Sequence, residues 1–204
     1  MIKTLALSAT AALCFAGTTA QAKIATGSSV ADMSVVDSNG KTHKLSDFAG
    51  KKVILEWTNH QCPYVVRHYE SKNMQDLQKS ATANGDTVWL SVISSGPGLQ
   101  GYVSGEKANK LTVKRDAAPT AVIMDPEGTM GQSFSAKTTP HMYIIDENQT
   151  LVYQGGIDDD RNGRKLAAGT EVNYVEAALA DLAAGRTVAE ANTPPYGCSI
   201  KYKS

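Results

Sequence analysis

The chain has 204 residues, with 20 Lys and Arg against 20 Asp and Glu, and 42% of its residues are hydrophobic. That charge balance offers no positive footprint for nucleic acid or anionic lipid, so neither is expected as a partner. Only three cysteines occur, which excludes a disulfide-stapled mini-domain; a chain of this length buries a full core without staples.

Residues 1–22 read as a signal peptide. Lys3 gives a basic start, Leu5 to Ala16 an apolar stretch, and Ala20-Gln21-Ala22 a small-x-small cleavage pattern. The apolar run is too short, and too rich in Ala, Ser and Thr, for a spanning helix. The mature chain, Lys23 to Ser204, is therefore expected to be exported to the periplasm or cell envelope, with no stable membrane insertion after cleavage. Cys14 leaves with the signal, and Cys62 and Cys198 remain. In an oxidising compartment they form either a structural bridge or a redox-active pair.

No repeat or linker divides the mature chain, so one domain is expected over residues 23–186, followed by a tail over 187–204. Val30 to Val36, Ser38-Asn39-Gly40 and Lys41 to Leu45 read as strand, tight turn and strand. Ser46 to Gly50 is a turn or helical loop. Lys52 to Thr58 is a nearly continuous apolar run, as expected of a strand buried on both faces. Pro63 to about Ala83 has helical composition, with Pro63 at the first helical position, where its missing N–H costs nothing.

Thr87 to Ser94 is another strand, closed by the flexible Ser95-Gly96-Pro97-Gly98. A short helix is expected around Gly105 to Leu111, a strand over Ala121 to Met124, and a helical turn around Thr129 to Phe134. His141 to Asp146 and Leu151 to Gln154 read as an antiparallel pair. Thr170 is the expected N-cap of a last helix and Gly185 the residue past its end, with Val175, Ala178, Leu179 and Leu182 on one face. The order βαβα then ββα predicts an α/β domain with a central mixed sheet and helices on both faces.

The segment from Val53 to Val65 carries the chemistry. It places Cys62 just after a buried strand and just before a helix that opens with Pro63. Backbone N–H groups at a helix start, with the positive end of the macrodipole, favour a thiolate. His60 and Arg67 are expected to add positive charge nearby. A depressed pKa makes the sulfur nucleophilic at neutral pH.

Here the chain resembles the thioredoxin superfamily, and within it a peroxiredoxin-like branch of the alkyl hydroperoxide reductase / thiol-specific antioxidant group, over roughly Ser46 to Tyr202. Trp57-Thr-Asn-His-Gln-Cys62-Pro-Tyr-Val-Val-Arg-His68 is similar to the branch's active-site segment. Thr138-Thr139-Pro140-His141 is similar to the superfamily's cis-proline loop, and Pro195-Tyr-Gly-Cys198-Ser-Ile-Lys201 to the branch's C-terminal cysteine segment. The resemblance implies a thioredoxin-like fold with an N-terminal β-hairpin and an irregular C-terminal tail. It makes Cys62 the attacking cysteine of the Cys-x-x-Cys pattern, with Val65 in place of the second. Glu56 becomes the buried acid that helps move protons, its alternative being a merely structural carboxylate. Pro63, Thr139 and Pro140 become the substrate-contacting residues, with backbone before a cis proline pairing with extended substrate.

The implied activity is peroxide reduction by the Cys62 thiolate, with Cys198 as resolving cysteine in a tail that docks near Cys62 or swings away. Glu56 or His60 assists proton transfer, and no cofactor is needed. Regeneration calls for an external thiol reductant, a membrane electron transporter or another thioredoxin-like protein. The pattern also departs from that of peroxidases: Asn59 stands where they carry Thr, Leu55 where they carry Pro, and no Arg follows Asp125 closely, leaving Arg67 and Lys137 as stand-ins. A thiol–disulfide oxidoreductase using the same Cys62 is the alternative enzyme. The non-enzyme alternative is a thioredoxin-like copper or zinc chaperone using Cys62 with His60, His68 and His141, since thiolate and imidazole suit those metals. Asp158 to Gly163 mimics a calcium loop but has Gly169 at the twelfth position, so a solvated acidic turn is expected. Trp57 and Trp89 are expected in the core.

Overall fold

The structure, a computed structural model, describes residues 23–203. The expected signal peptide, residues 1–22, and Cys14 lie outside the described residues. The centre of the domain is β3 (Lys52–Trp57), whose β-branched and aromatic run is buried on both faces. It is flanked by β4 (Thr87–Ile93), which is parallel to it, and β7 (His141–Ile145), which is antiparallel. Outside these lie β5 (Ala121–Met124), parallel to β4, and β8 (Leu151–Gly155), antiparallel to β7. The hairpin β1 (Ser34–Asp37) and β2 (Thr42–Lys44) joins through β1 to β5, giving the sheet order β2-β1-β5-β4-β3-β7-β8. The hairpin forms as expected around Asn39-Gly40, although its first strand starts at Ser34 rather than Val30.

The alternation of a strand sends Val53, Leu55 and Trp57 to one core, with Phe134 and Tyr143, and Ile54 to the other, with Val65, Met74 and Trp89. The second core lies beneath α1 (Pro63–Glu70), α2 (Asn73–Thr82) and α6 (Tyr174–Ala183). Between β4 and β5 runs α3 (Gly105–Lys114), and α4 (Thr129–Ser133) precedes the short β6 (Thr138–Thr139). Both tryptophans are fully buried, as expected.

Three expectations need correction. The predicted helix from Pro63 to Ala83 is two helices, because Lys72 takes a left-handed conformation, φ 64°, that re-aims the chain. The break lets α2 bury Met74, Gln75, Leu77 and Gln78. The last helix is capped by Asn173, whose side-chain oxygen accepts from the Val175 and Glu176 N–H groups at 3.1 Å each. Thr170 instead lies in the loop after the unforeseen α5 (Arg164–Ala168). The acidic segment is not solvated: Asp158 is 1% exposed and Asp160 3% exposed. Asp160 accepts from the Arg164 and Leu166 N–H groups, at 3.1 and 2.8 Å, and so folds its own loop.

The C-terminal tail is docked and mostly irregular, with one ordered stretch. β9 (Cys198–Ser199) pairs antiparallel with β6, Thr139 opposite Cys198. Gly197 fits there at φ 128°, where a Cβ would meet the Thr139 carbonyl oxygen at 2.1 Å, so only glycine permits this approach.

Candidate active site

Cys62 follows β3 through a turn in which its N–H donates to the Asn59 carbonyl at 3.0 Å, and it forms the N-cap of α1 with Pro63 as first helical residue. Its thiol donates to the Thr139 carbonyl oxygen at 3.0 Å, and the Thr139–Pro140 peptide bond is cis. The Cys198 side chain reaches the same sulfur. Cys62, Thr139, Pro140 and Cys198 are therefore brought together from four places in the chain, and both thiols are free.

Burial pushes the Cys62 thiol up. Donation from the Cys198 side chain, the Val65 N–H, the Thr139 side chain and the Cys198 backbone outweighs it, leaving Cys62 below the ordinary thiol value. The reduced thiol makes no N-cap hydrogen bond; the Val65 N–H acts by favouring the ionised form. Cys198 moves the other way: burial, then its bond to and the charge on Cys62, push it up to about 11. The last proton of the pair thus rests on Cys198 and the negative charge on Cys62. Thiolate absorbance followed against pH is expected to show a first rise below the ordinary thiol range and a second near pH 11. Cys198→Ala, which removes the strongest donor, should move the first rise upward.

The sulfur is not open to solvent. Cys62 is 0% exposed, where a reachable thiolate was expected, because the tail lies over it. The expected cations are also placed elsewhere. Burial, then the charges of Arg115 and Lys107, lower the pKa of His60, so at neutral pH its ring adds no charge. The Arg67 guanidinium turns to the loop after β8, donating to the Asp160 carbonyl at 2.8 Å, and sits over the Tyr64 and Tyr196 rings at 5.6 and 5.9 Å. Lys137 accompanies His141, whose Nδ1 accepts from the Lys137 N–H at 3.2 Å.

The histidines do not converge on Cys62. His68 is engaged with Asn73 and Tyr196, His141 Nδ1 faces the Lys137 N–H and the Tyr143 hydroxyl, and no cluster of three His, Cys, Asp or Glu fit for a metal occurs among the described residues.

Glu56 is fully buried, as its match to the family acid implied. Its carboxylate accepts from Tyr69 at 2.9 Å and from Trp89, Ser91 and Gln78 at 2.9, 2.9 and 3.1 Å. Those partners belong to α1, α2 and β4, and none of these bonds goes to Cys62. Asn59 holds the turn through its Oδ1, which accepts from the Gln61 N–H at 2.9 Å; its buried Nδ2 and the neighbouring Thr58 hydroxyl have no partner. Sequence reading missed Asp158 and Tyr196, and the place of His68 beside them; their only signal was a tyrosine two residues before Cys198.

A cysteine capping the first core helix, a cis-proline loop facing it and a mixed sheet with these crossovers define a thioredoxin-fold thiol protein. The chain belongs to the Redoxin family of thiol oxidoreductases, which matches residues 25–172. No curated protein matches it. Among solved structures it is similar to a hypothetical protein from Sinorhizobium meliloti 1021, at 22% identity and TM-score 0.74, over 89% of this chain and 97% of that one. It is also similar to an uncharacterized conserved protein from Geobacillus kaustophilus, at 23% identity and TM-score 0.75, over 88% and 93% of the two chains. Both likenesses concern the fold. No helix among the described residues is long and apolar enough to cross a membrane.

Proposed function

We propose that the protein is an exported two-cysteine thiol–disulfide oxidoreductase, with Cys62 attacking and Cys198 resolving. Residues 1–22 serve as its signal peptide, residues 23–186 as its redox domain and the remainder as a tail, docked in the reduced protein, that carries the resolving cysteine. The observation that carries this is the pair of adjacent thiols with opposed proton affinities, one at the cis-proline loop and one delivered on an extended strand against Thr139.

The Cys62 thiolate attacks one sulfur of a substrate disulfide, forming a mixed disulfide and releasing the first substrate thiolate. Cys198 then attacks the Cys62 sulfur as it loses its proton. The second substrate thiolate leaves and takes up that proton, and the Cys62–Cys198 disulfide forms. Two thiols of an external donor, a membrane electron transporter or another thioredoxin-like protein, reduce that bond and become a disulfide themselves. Pro63, Thr139 and Pro140 frame the attacking sulfur.

Peroxide reduction is the second reading, favoured by the unpartnered Asn59 amide and Thr58 hydroxyl in the turn before Cys62. There the thiolate attacks one peroxide oxygen, and the other leaves as alkoxide or hydroxide and takes up a proton from solvent. The Cys198 thiol then condenses with the sulfenic acid to form the disulfide and release water. It ranks second because Arg67, the cation expected to polarise the peroxide, lies elsewhere. Stopped-flow oxidation of the reduced protein by a model disulfide and by hydrogen peroxide separates the two. Faster reaction with the disulfide is expected; rapid peroxide consumption with sluggish exchange would reverse the order.

A further inference from the structure

We propose that Tyr196 is a positioning residue for this pair: its hydroxyl, clamped between His68 and Asp158, is the latch that keeps Cys198 on Cys62 and sets how often the tail lifts to admit an oxidant. The proposal rests on reading Cys62 and Cys198 as an exchanging pair.

The hydrogen bonds of the latch run in one direction. Asn73 donates through its side-chain nitrogen to His68 Nδ1 at 2.9 Å. Burial, then the charge of Arg67, holds His68 down to about 4, with Asp160 opposing weakly, so the ring is neutral and its remaining hydrogen lies on Nε2. Nε2 donates to the Tyr196 hydroxyl at 2.9 Å, and that hydroxyl donates to Asp158 Oδ1. The 3.9 Å approach of His68 Nδ1 to Asp158 Oδ2 is accordingly no ion pair. His68, Tyr196 and Asp158 are 0%, 3% and 1% exposed. Asp158 Oδ2 has no partner, which leaves its carboxyl dependent on the Tyr196 hydroxyl and the Asp160 N–H. Losing the tyrosine hydroxyl would strand the buried His68 Nε2 donor and leave the buried Asp158 carboxyl with the Asp160 N–H alone.

The latch is well placed to act on the chemistry. His68 lies on the helix that Cys62 caps, and Tyr196 is joined to Cys198 through the tightly fitted Gly197. With Cys62 fully covered, no oxidant reaches it until this stretch moves. The more distal anchors, Tyr202 on the Ala136 carbonyl and Lys203 on Glu127, are part-buried or exposed and hold the tail without touching the sulfurs.

Tyr196→Phe removes the hydroxyl and keeps the ring, which packs on Tyr64 and His68 at 5.8 and 6.2 Å. In the reduced mature protein, iodoacetamide alkylation of Cys62, followed by mass spectrometry of its peptide, is expected to run about tenfold faster in the variant. In a single turnover with a model disulfide, closure of Cys198 onto oxidised Cys62 should slow. Amide hydrogen exchange should rise in residues 194–203 and stay as in wild type in the sheet. Asp158→Asn, which weakens the acceptor without emptying the site, should give the same pattern at smaller amplitude and serves if the phenylalanine variant folds poorly. An unchanged alkylation rate in both variants, or exchange raised throughout the chain, would overturn the latch. Alkylation does not depend on turnover, so a wild-type protein that never forms the Cys62–Cys198 disulfide would fail the redox reading separately.

Discussion

Cys198→Ser is expected to let the reduced protein attack one equivalent of oxidant and then stall, with a mixed disulfide or a sulfenic acid held on Cys62. Val65 occupies the position of the local second cysteine, so no nearby thiol can finish the reaction. Intact mass spectrometry after mixing should show one substrate-sized adduct per chain that persists until external thiol is added. Cys62→Ser is expected to cut turnover by about 10³-fold or more, since a serine hydroxyl at neutral pH lacks the nucleophilicity of a thiolate. Cys198 cannot substitute. Burial, the first cause of its raised pKa, persists without Cys62 and keeps it mostly protonated at neutral pH. Steady turnover by Cys198→Ser at the wild-type rate would remove this cysteine from the cycle and leave the tail a merely structural cover.

The second large effect concerns stability. Glu56→Leu should destabilise the fold by about 3–5 kcal/mol, because it strands the Tyr69 and Ser91 O–H donors and the Trp89 ring N–H in the core and leaves the Gln78 side-chain nitrogen only the Tyr69 hydroxyl. Urea unfolding followed by tryptophan fluorescence measures it, since Trp89 donates to this carboxylate. A loss under ~1 kcal/mol, typical of a surface change, would show that the network contributes little. The proton-transfer role implied for Glu56 by the family has a separate readout: a kinetic pKa shift at temperatures where the variant is folded.

Much of this fold is visible in local pattern. Lys52 to Trp57, Thr87 to Ile93 and Ala121 to Met124 are β-branched runs with few competing signals, and they occupy the centre of the sheet. Pro63 marks the start of α1, and with it the capping position of Cys62. What local pattern does not carry is tertiary in origin. No glycine or proline announces the break at Lys72; the packing of α2 demands it. Asn173 and Thr170 are both sound capping residues, and the choice follows from where the acidic loop is pinned. Asp158 looks like a solvated carboxylate until Tyr196 arrives from the far end of the chain. The same long-range return explains why Cys62, correctly placed by its neighbours in sequence, proves to be covered.

The place where the tail is fastened sets how far Cys198 can travel. Thr193 is bound into the body of the domain: its hydroxyl lies 2.7 Å from that of Tyr153 and accepts from the Gly156 N–H at 3.0 Å, while its backbone N–H donates to the Gln154 carbonyl at 3.1 Å. A stretch freed beyond that point runs through Pro194-Pro195 on a leash of roughly 17 Å to Cys198. In the proposed cycle the Cys198 thiol, even with the tail lifted, stays at a millimolar-range local concentration around Cys62. An oxidised Cys62 therefore meets its own chain far more often than a dilute foreign thiol, and capture by stray partners is kept brief by tethering alone.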